Sequence, residues 1–151
     1  MENIRIYRIS IWTASLLGVL IFVFGNSLQP ASVSGEESAE VFSHLSQLFP
    51  FLTHHLVRKL AHFCEYALLG AHLAFAPLTL PARGYAMHVT SLLFGALVAL
   101  VDEGIQRFVP GRAGMLTDAL IDYAGYLCGF LLFFGLIFLY VKRKGNRFEK
   151  P

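Results

Sequence analysis

Residues 117–141 read TDALIDYAGYLCGFLLFFGLIFLYV, and this stretch decides the fold class of the chain. It is long enough to cross a hydrocarbon core of roughly 30 Å as a single α-helix. Thr117 is predicted to be its N-cap, and Asp118 and Asp122 lie in its first turns. The basic residues that follow Val141 are typical of the end of a membrane span. The stretch therefore predicts a transmembrane helix whose charges lie near its beginning.

The composition of the whole chain favours the same class. Hydrophobic residues make up 56% of the 151 residues and charged residues 15%, whereas soluble domains carry about 25% charged residues. The net charge of +2 is too small to indicate binding to nucleic acid. Cys64 and Cys128 lie in apolar stretches and are predicted to be small core residues, with no disulfide framework. The length allows one domain, predicted to cover residues 1–151.

Three more apolar stretches complete the prediction of an all-α membrane protein with four transmembrane helices, at about residues 9–25, 57–76, 86–105 and 117–141. The first stretch has the alternative of a cleavable signal peptide. We favour an uncleaved helix, because the apolar run is long and no clear cleavage site of small residues follows it. The second stretch stops at Pro77, and a loop from there to Tyr85 leads to the third.

The first external loop contains two different segments. Residues 26–35 are rich in Asn, Gln, Ser, Pro and Gly and are predicted to form turns. From Glu36 to Phe49, apolar residues recur at helical spacing and acidic residues occupy the first turns. This second segment is too short and too polar to span a bilayer, so we expect a short amphipathic helix lying in the membrane interface.

The distribution of basic residues predicts the orientation of the chain. With four spans, one side of the membrane holds both termini and eight of the twelve Lys and Arg residues, namely Arg5, Arg8, Arg83, Lys142, Arg143, Lys144, Arg147 and Lys150. The other side holds the remaining four, Arg58, Lys59, Arg107 and Arg112. Both termini are therefore predicted to be cytoplasmic.

This topology gathers polar side chains at the external ends of the helices. Ten of them are predicted to form a ligand-binding site: Arg58, Lys59, His62, Glu65, Asp102, Glu103, Gln106, Arg112, Asp118 and Asp122. A charge at the bilayer centre costs about 2.5–3.5 kcal/mol on insertion scales. Glu65 lies about two turns inside Arg58, so it is expected to need His62, Arg58 or Arg112 as a partner, or to be protonated.

The alternative interpretation is that the same residues have only a structural role. Basic residues near helix ends are often topology anchors whose heads reach the interface, and Glu65 and Asp122 can belong to a purely structural ion-pair network. We favour a site for these two carboxylates, because their expected burial is costly and no helix end accounts for it.

Glycines on the fourth helix predict a close helix contact. Gly125 and Gly129 form a small-xxx-small pattern, which lets a neighbouring backbone approach closely. They lie within roughly 60° of Asp118 and Asp122 around the helix, so the aspartates should face other helices rather than lipid. The same glycine face could also serve oligomerisation.

The residue types point first to anion binding. Arg58, Lys59 and Arg112, with the Gly-rich turn at residues 110–114, suit an anionic headgroup. The acidic residues Glu65, Asp102, Asp118 and Asp122 would then orient these bases. The spacing matches no His-Glu-x-x-His metal motif, so neither a metal nor another cofactor is predicted.

Two other functions remain as alternatives. An intramembrane enzyme acting on a lipid or glycan headgroup would use His62 with Glu65 or Asp122 as acid and base. A proton-coupled transporter would use Glu65 and His72, and four short helices would make it narrow unless it oligomerised.

Four blocks of sequence together resemble the VanZ-like family. They are Asn26-Ser27 with Ser34-Gly35, residues 58–66 (RKLAHFCEY), residues 102–112 (DEGIQRFVPGR) and residues 118–125 (DALIDYAG). The resemblance implies a small multi-spanning protein of the bacterial cytoplasmic membrane and cell envelope. The name-giving member is associated with low-level resistance to teicoplanin, a lipid-bearing glycopeptide. The leading hypothesis is therefore a protein that binds an anionic lipid-linked molecule at the outer leaflet and alters sensitivity to such antibiotics.

Overall fold

The computed structural model describes residues 2–80 and 85–148, and within these ranges the chain is helical without a strand. The helices, in chain order, are α1 (Glu2–Ser27), α2 (Ala31–Leu45), α3 (His54–Ala74), α4 (Ala76–Thr79), α5 (Tyr85–Gln106) and α6 (Leu116–Phe148). The prediction of an all-helical chain is confirmed.

Three of the described helices are long and apolar enough to cross a membrane: α1, α5 and the part of α6 up to Lys144. Large apolar side chains on them point away from the protein interior, including Ile11 and Ile21 of α1 and Leu131 of α6. Exposed apolar surface of this extent suits a lipid bilayer. α3 carries Arg58, Lys59 and Glu65 and does not meet the same criterion, so the fourth span stays a prediction.

The helix boundaries depart from the predicted ones mainly at the ends of the chain. α5 agrees with the predicted range 86–105 to within one residue at each end. α6 begins at Leu116, and the amides of Asp118 and Ala119 bond to the carbonyl of Met115, so the prediction of Thr117 as N-cap was wrong. α6 also continues past Val141, because Lys and Arg end a membrane span without ending a helix.

The first loop is more helical than predicted. α2 begins at Ala31, directly after Pro30, and the amide of Ser34 bonds to the Pro30 carbonyl at 3.1 Å. A proline at a helix start has a suitable φ, and the N–H that it lacks would have no partner within the helix there. The segment predicted to form turns is therefore helical from Ala31 onward. The predicted helix from Glu36 to Phe49 exists with shifted boundaries, since it ends at Leu45.

α3 is delimited by recognisable signals at both ends. The side chain of Thr53 caps it by accepting a hydrogen bond from the Leu56 amide at 3.2 Å. It ends at Ala74, shortly before Pro77, which lies in the first turn of the short helix α4. The predicted loop from Pro77 to Tyr85 is thus partly helical, and its residues 81–84, including Arg83, lie outside the described residues.

α3 and α6 run parallel and meet backbone to backbone. A Cβ atom added at Gly125 would strike the carbonyl of Phe63, and one added at Gly129 would strike the carbonyl of Ala67. From the other side, a Cβ at Gly70 would strike the carbonyl of Tyr126. The predicted close helix contact is confirmed, but the glycine face is occupied by α3 of the same chain. Oligomerisation through that face was therefore a wrong prediction, since no second copy can reach it.

The apolar core extends from this contact to the other helices. Tyr66 and Tyr126 are fully buried, and the Tyr126 hydroxyl donates a hydrogen bond of 2.6 Å to the Ser91 carbonyl of α5. Val23 brings α1 into the same core. Cys64 and Cys128 are both exposed, so predicting them as core residues was wrong. An apolar stretch in a membrane helix has a lipid face as well as a core face, and sequence polarity does not tell the two apart.

Candidate functional site

The helix ends that carry the predicted site residues converge at one end of the protein, which we call the polar end. It comprises the last turn of α1, the first half of α3, the last turns of α5, the turn at residues 107–115 and the first turns of α6. All ten predicted residues lie on these elements, four on α3, three on α5, two on α6 and Arg112 in the turn. The turn itself depends on Gly111, whose φ of 74° favours glycine.

A polar cavity of about 200 Å³ opens at this end. Eight of the ten predicted residues line it, together with other residues of α3, α6 and the turn: Arg58, Lys59, His62, Glu103, Gln106, Arg112, Asp118 and Asp122. Glu65 lines a second cavity instead, and Asp102 is fully buried and lines neither. The structure thus brings most of the predicted site residues around one space.

The second cavity, of about 330 Å³, lies between α2 and α3. Its walls are largely apolar and include Val41, Leu45, Val57 and Leu60. Three side chains border both cavities: Arg58, His62 and Arg112. The two spaces therefore share Arg58 and Arg112 as lining residues, and charged side chains line the first more than the second.

The basic residues of the polar end differ in which groups balance their positive charge. Lys59 Nζ lies 2.8 Å from Asp118 Oδ1, and this is the one ion pair found among the described side chains of residues 2–80 and 85–144. Arg112 Nη2 donates instead to the backbone carbonyl of Asn26 at 2.9 Å. Burial, followed by the positive charge of Arg58, lowers the pKa of Arg112 below its ordinary value. The two arginines thus form a positive pair that lacks a directly bonded carboxylate within the described ranges.

The carboxylates are held mostly by neutral groups, which corrects the prediction that they orient the bases. Asn26 Nδ2 donates to Glu65 Oε1 at 2.8 Å, so the partner of Glu65 is neither His62 nor an arginine. Gln106 Nε2 donates to Asp102 Oδ2 at 3.1 Å. Of the acidic residues in that prediction, Asp118 alone contacts a basic side chain within the described part of the chain.

Glu103 has a structural contact of its own. Its Oε2 accepts a hydrogen bond of 2.7 Å from the amide of Met115, which ties the turn at residues 107–115 back to α5. Gly114 permits this approach, because a Cβ there would meet the Glu103 carbonyl. Glu103 therefore positions the segment that carries Arg112.

Several polar atoms at this end have no hydrogen-bond partner among the described residues. They are His62 Nδ1, Glu65 Oε2, Asp102 Oδ1 and Asp122 Oδ2. Buried polar atoms are usually paired, and four of the five unpaired ones among the described residues lie at the polar end. Three of these residues also converge: His62, Asp102 and Asp122 each offer a ligand atom, and these atoms all lie within 4.8 Å of one another.

Sequence reasoning missed the part played by Asn26. Its side chain holds Glu65 and its carbonyl holds Arg112, so one residue at the end of α1 joins α3 to the turn. The available signal was an Asn-Ser pair directly after an apolar run, at the depth of the charged residues. The convergence of His62 with two aspartates carried no local signal, because the three residues come from three helices.

Comparison with known families identifies the family of the chain. The VanZ/LLP1 family model matches residues 12–139, which include α2 to α5 and most of α1 and α6. The chain therefore belongs to the VanZ-like family and is a membrane protein. No curated protein and no solved structure matches it.

Proposed function

We propose that this protein binds the headgroup of an anionic amphiphile at the outer leaflet of the bacterial cytoplasmic membrane. Arg58 and Arg112 hold the anion, and the apolar cavity beside α2 takes part of the lipid chain. The observation that carries this proposal is the pair of adjoining cavities that share the two arginines and His62. Guanidinium groups favour carboxylate and phosphate oxygens, and apolar walls favour hydrocarbon.

The membrane placement is part of the proposal. α3 contacts α6 along its glycine face, so α3 should cross the membrane beside α6 and give four spans in one domain. α2 should lie in the outer interface, with both termini in the cytoplasm. A reporter fused after Pro151 should then be cytoplasmic and one inserted at the exposed Gln47 external. The reverse result would move the polar end to the inner leaflet.

Lipid binding can be tested on the purified protein. We expect native mass spectrometry from mixed vesicles to show more bound phosphatidylglycerol than phosphatidylcholine. Arg58→Gln and Arg112→Gln should each weaken binding about tenfold, the loss expected for one charge-assisted hydrogen bond. Lys144→Gln is the matched control, because Lys144 is exposed at the far end of α6. Equal retention of the two lipids would contradict the proposal.

The biological consequence we propose is altered sensitivity to teicoplanin-type antibiotics, supported by the role of the family's name-giving member. A deletion strain complemented with Arg112→Gln should resemble the deletion strain, and one complemented with Lys144→Gln the wild type. If deletion left antibiotic sensitivity unchanged, the proposed antibiotic response would be wrong, and headgroup binding would still be tested by the lipid measurement.

A second candidate function is an enzyme that acts on the bound headgroup. It is favoured by the unpartnered atoms of His62 and Asp122, both of which line the polar cavity. A general acid and base need positions from which they can reach a substrate. Lipid analysis of deletion and wild-type membranes would show an altered headgroup class in this case. The transporter alternative has less support, since His72 contacts Trp12 and Ser15, away from the polar end.

A further inference from the structure

Three side chains from three different helices meet at the inner wall of the polar cavity. His62 comes from α3, Asp102 from α5 and Asp122 from α6, and their ligand atoms lie within 4.8 Å of one another. Ligands of one zinc or manganese ion lie about 2.0–2.2 Å from the metal, so small side-chain rotations would bring all three into a first coordination sphere.

Because both aspartates are buried, keeping them ionised costs free energy unless a positive charge lies between them. Asp102 is 0% exposed and Asp122 is 2% exposed, and each has one carboxylate oxygen without a partner in the described ranges. Two carboxylates this close repel each other strongly where water is excluded. Gln106 is neutral and bonds only one oxygen of Asp102.

Neither aspartate forms an ion pair with a basic side chain in the described part of the chain. Lys59 is paired with Asp118, and the Arg112 guanidinium donates to the Asn26 carbonyl. The unpartnered Nδ1 of His62 adds a neutral nitrogen donor rather than a compensating charge. A divalent cation would satisfy the free oxygens and the imidazole nitrogen at once, and would neutralise both carboxylates.

We propose that His62, Asp102 and Asp122 bind a divalent transition-metal ion, with Zn²⁺ and Mn²⁺ as the ions that suit one imidazole nitrogen and two carboxylate oxygens. The sequence prediction of no metal relied on spacing along one helix, which says nothing about ligands from three helices. Three protein ligands leave at least one coordination position open, as in metal sites that bind water or substrate.

The open position would face the polar cavity. His62 and Asp122 line that cavity together with Arg58 and Arg112, whereas Asp102 lies behind them. An anion oxygen entering the cavity could therefore reach the metal and both guanidinium groups. This last step rests on the proposed headgroup binding, but the metal site itself does not.

Metal content is the direct test. The protein should be purified from membranes through a tag without histidines and without chelators, then analysed by inductively coupled plasma mass spectrometry. We expect about one ion per chain, the content of a single three-ligand site. After removal by a chelator, Zn²⁺ or Mn²⁺ should rebind at the same ratio. Metal far below one ion per chain, both as purified and after refilling, would overturn the proposal.

Asparagine variants locate the site. Asp102→Asn and Asp122→Asn keep side-chain size and remove a charged ligand, so each should lower metal affinity at least tenfold. Glu40→Gln is the control, because Glu40 is exposed on α2 and lines neither cavity. Equal metal affinity in Asp122→Asn and Glu40→Gln would also overturn the proposal.

A spectroscopic measurement on the intact protein covers the case in which the variants fail to fold. Co²⁺ in place of the native ion should give strong visible ligand-field bands, and pulsed EPR of the Mn²⁺ form should show coupling to an imidazole nitrogen. Absence of both signals in refilled protein would contradict the site. Metal binding without lipid selectivity would contradict the proposed function but not the metal site. Lipid selectivity without bound metal would contradict the metal site but not the proposed function.

Discussion

The two ends of the contact between α3 and α6 differ in what fills the space between the helices. Around Gly70, Gly125 and Gly129 the two backbones touch, and an added methyl group would strike a carbonyl oxygen at each position. Towards the polar end the same two helices border a cavity lined by His62 and Asp122, whose polar atoms are left partly unpaired.

The difference separates stability from function along one helix pair. Close backbone approach contributes dispersion energy and fixes the two helices relative to each other. Unpaired buried polar atoms cost free energy and are retained where a ligand uses them. We therefore expect substitutions along the glycine contact to affect folding and those at the polar end to affect binding.

Gly129→Leu should have the largest effect. Overpacking a core costs about 1–3 kcal/mol, and a collision with the Ala67 backbone should exceed that, so we expect most of the folded protein to be lost from membranes. Gly135→Leu on the same helix is the control, since a Cβ at Gly135 meets nothing within 4 Å. Equal thermal stability of the two variants in detergent would show that α3 and α6 do not touch at Gly129.

Glu103→Ala should come next, because it frees the turn that carries Arg112. Loss of the hydrogen bond from the Met115 amide should lower stability by about 1.5 kcal/mol. Glu103→Gln should recover most of that loss, since its amide oxygen still accepts. Thermal unfolding of both variants in one detergent measures this, and equal losses would mean that the bond contributes nothing.

The ion pair between Lys59 and Asp118 should contribute less. Both side chains are partly exposed, at 26% and 29%, so a double-mutant cycle with Lys59→Gln and Asp118→Asn should give a coupling of about 0.5–1 kcal/mol. A coupling of several kcal/mol would instead assign the polar end a structural role, as expected for a buried pair.

Glu65→Gln should change stability least. The amide oxygen still accepts the hydrogen bond from Asn26, and a neutral side chain is easier to bury than a carboxylate. Membrane abundance should stay normal, while complementation of a deletion strain should fail because Glu65 lines the cavity proposed to take the lipid. Full complementation by Glu65→Gln would remove Glu65 from the proposed site and leave it as scaffold.

Much of the architecture could be predicted from the sequence, because it depends on local properties. The lengths of the apolar stretches predicted the long helices, and the predicted ends of α5 agree with the structure to within one residue. The prediction for the first loop was wrong because its Ser and Gly residues suggested turns, whereas a helix that includes several of them begins directly after Pro30. The small-xxx-small pattern correctly indicated a close contact, but a pattern on one helix cannot identify its partner.

The sequence by itself determined the membrane class, the family motifs and the gathering of ten polar residues at one end of the protein. These follow from hydropathy, helix direction and residue identity along the chain. Only the tertiary structure decided that Asn26, rather than a basic residue, holds Glu65, and that α3 covers Gly125 and Gly129. It alone brought His62 to two aspartates from other helices. The rotation and separation of packed helices depend on many long-range contacts at once, and no single stretch of sequence contains them.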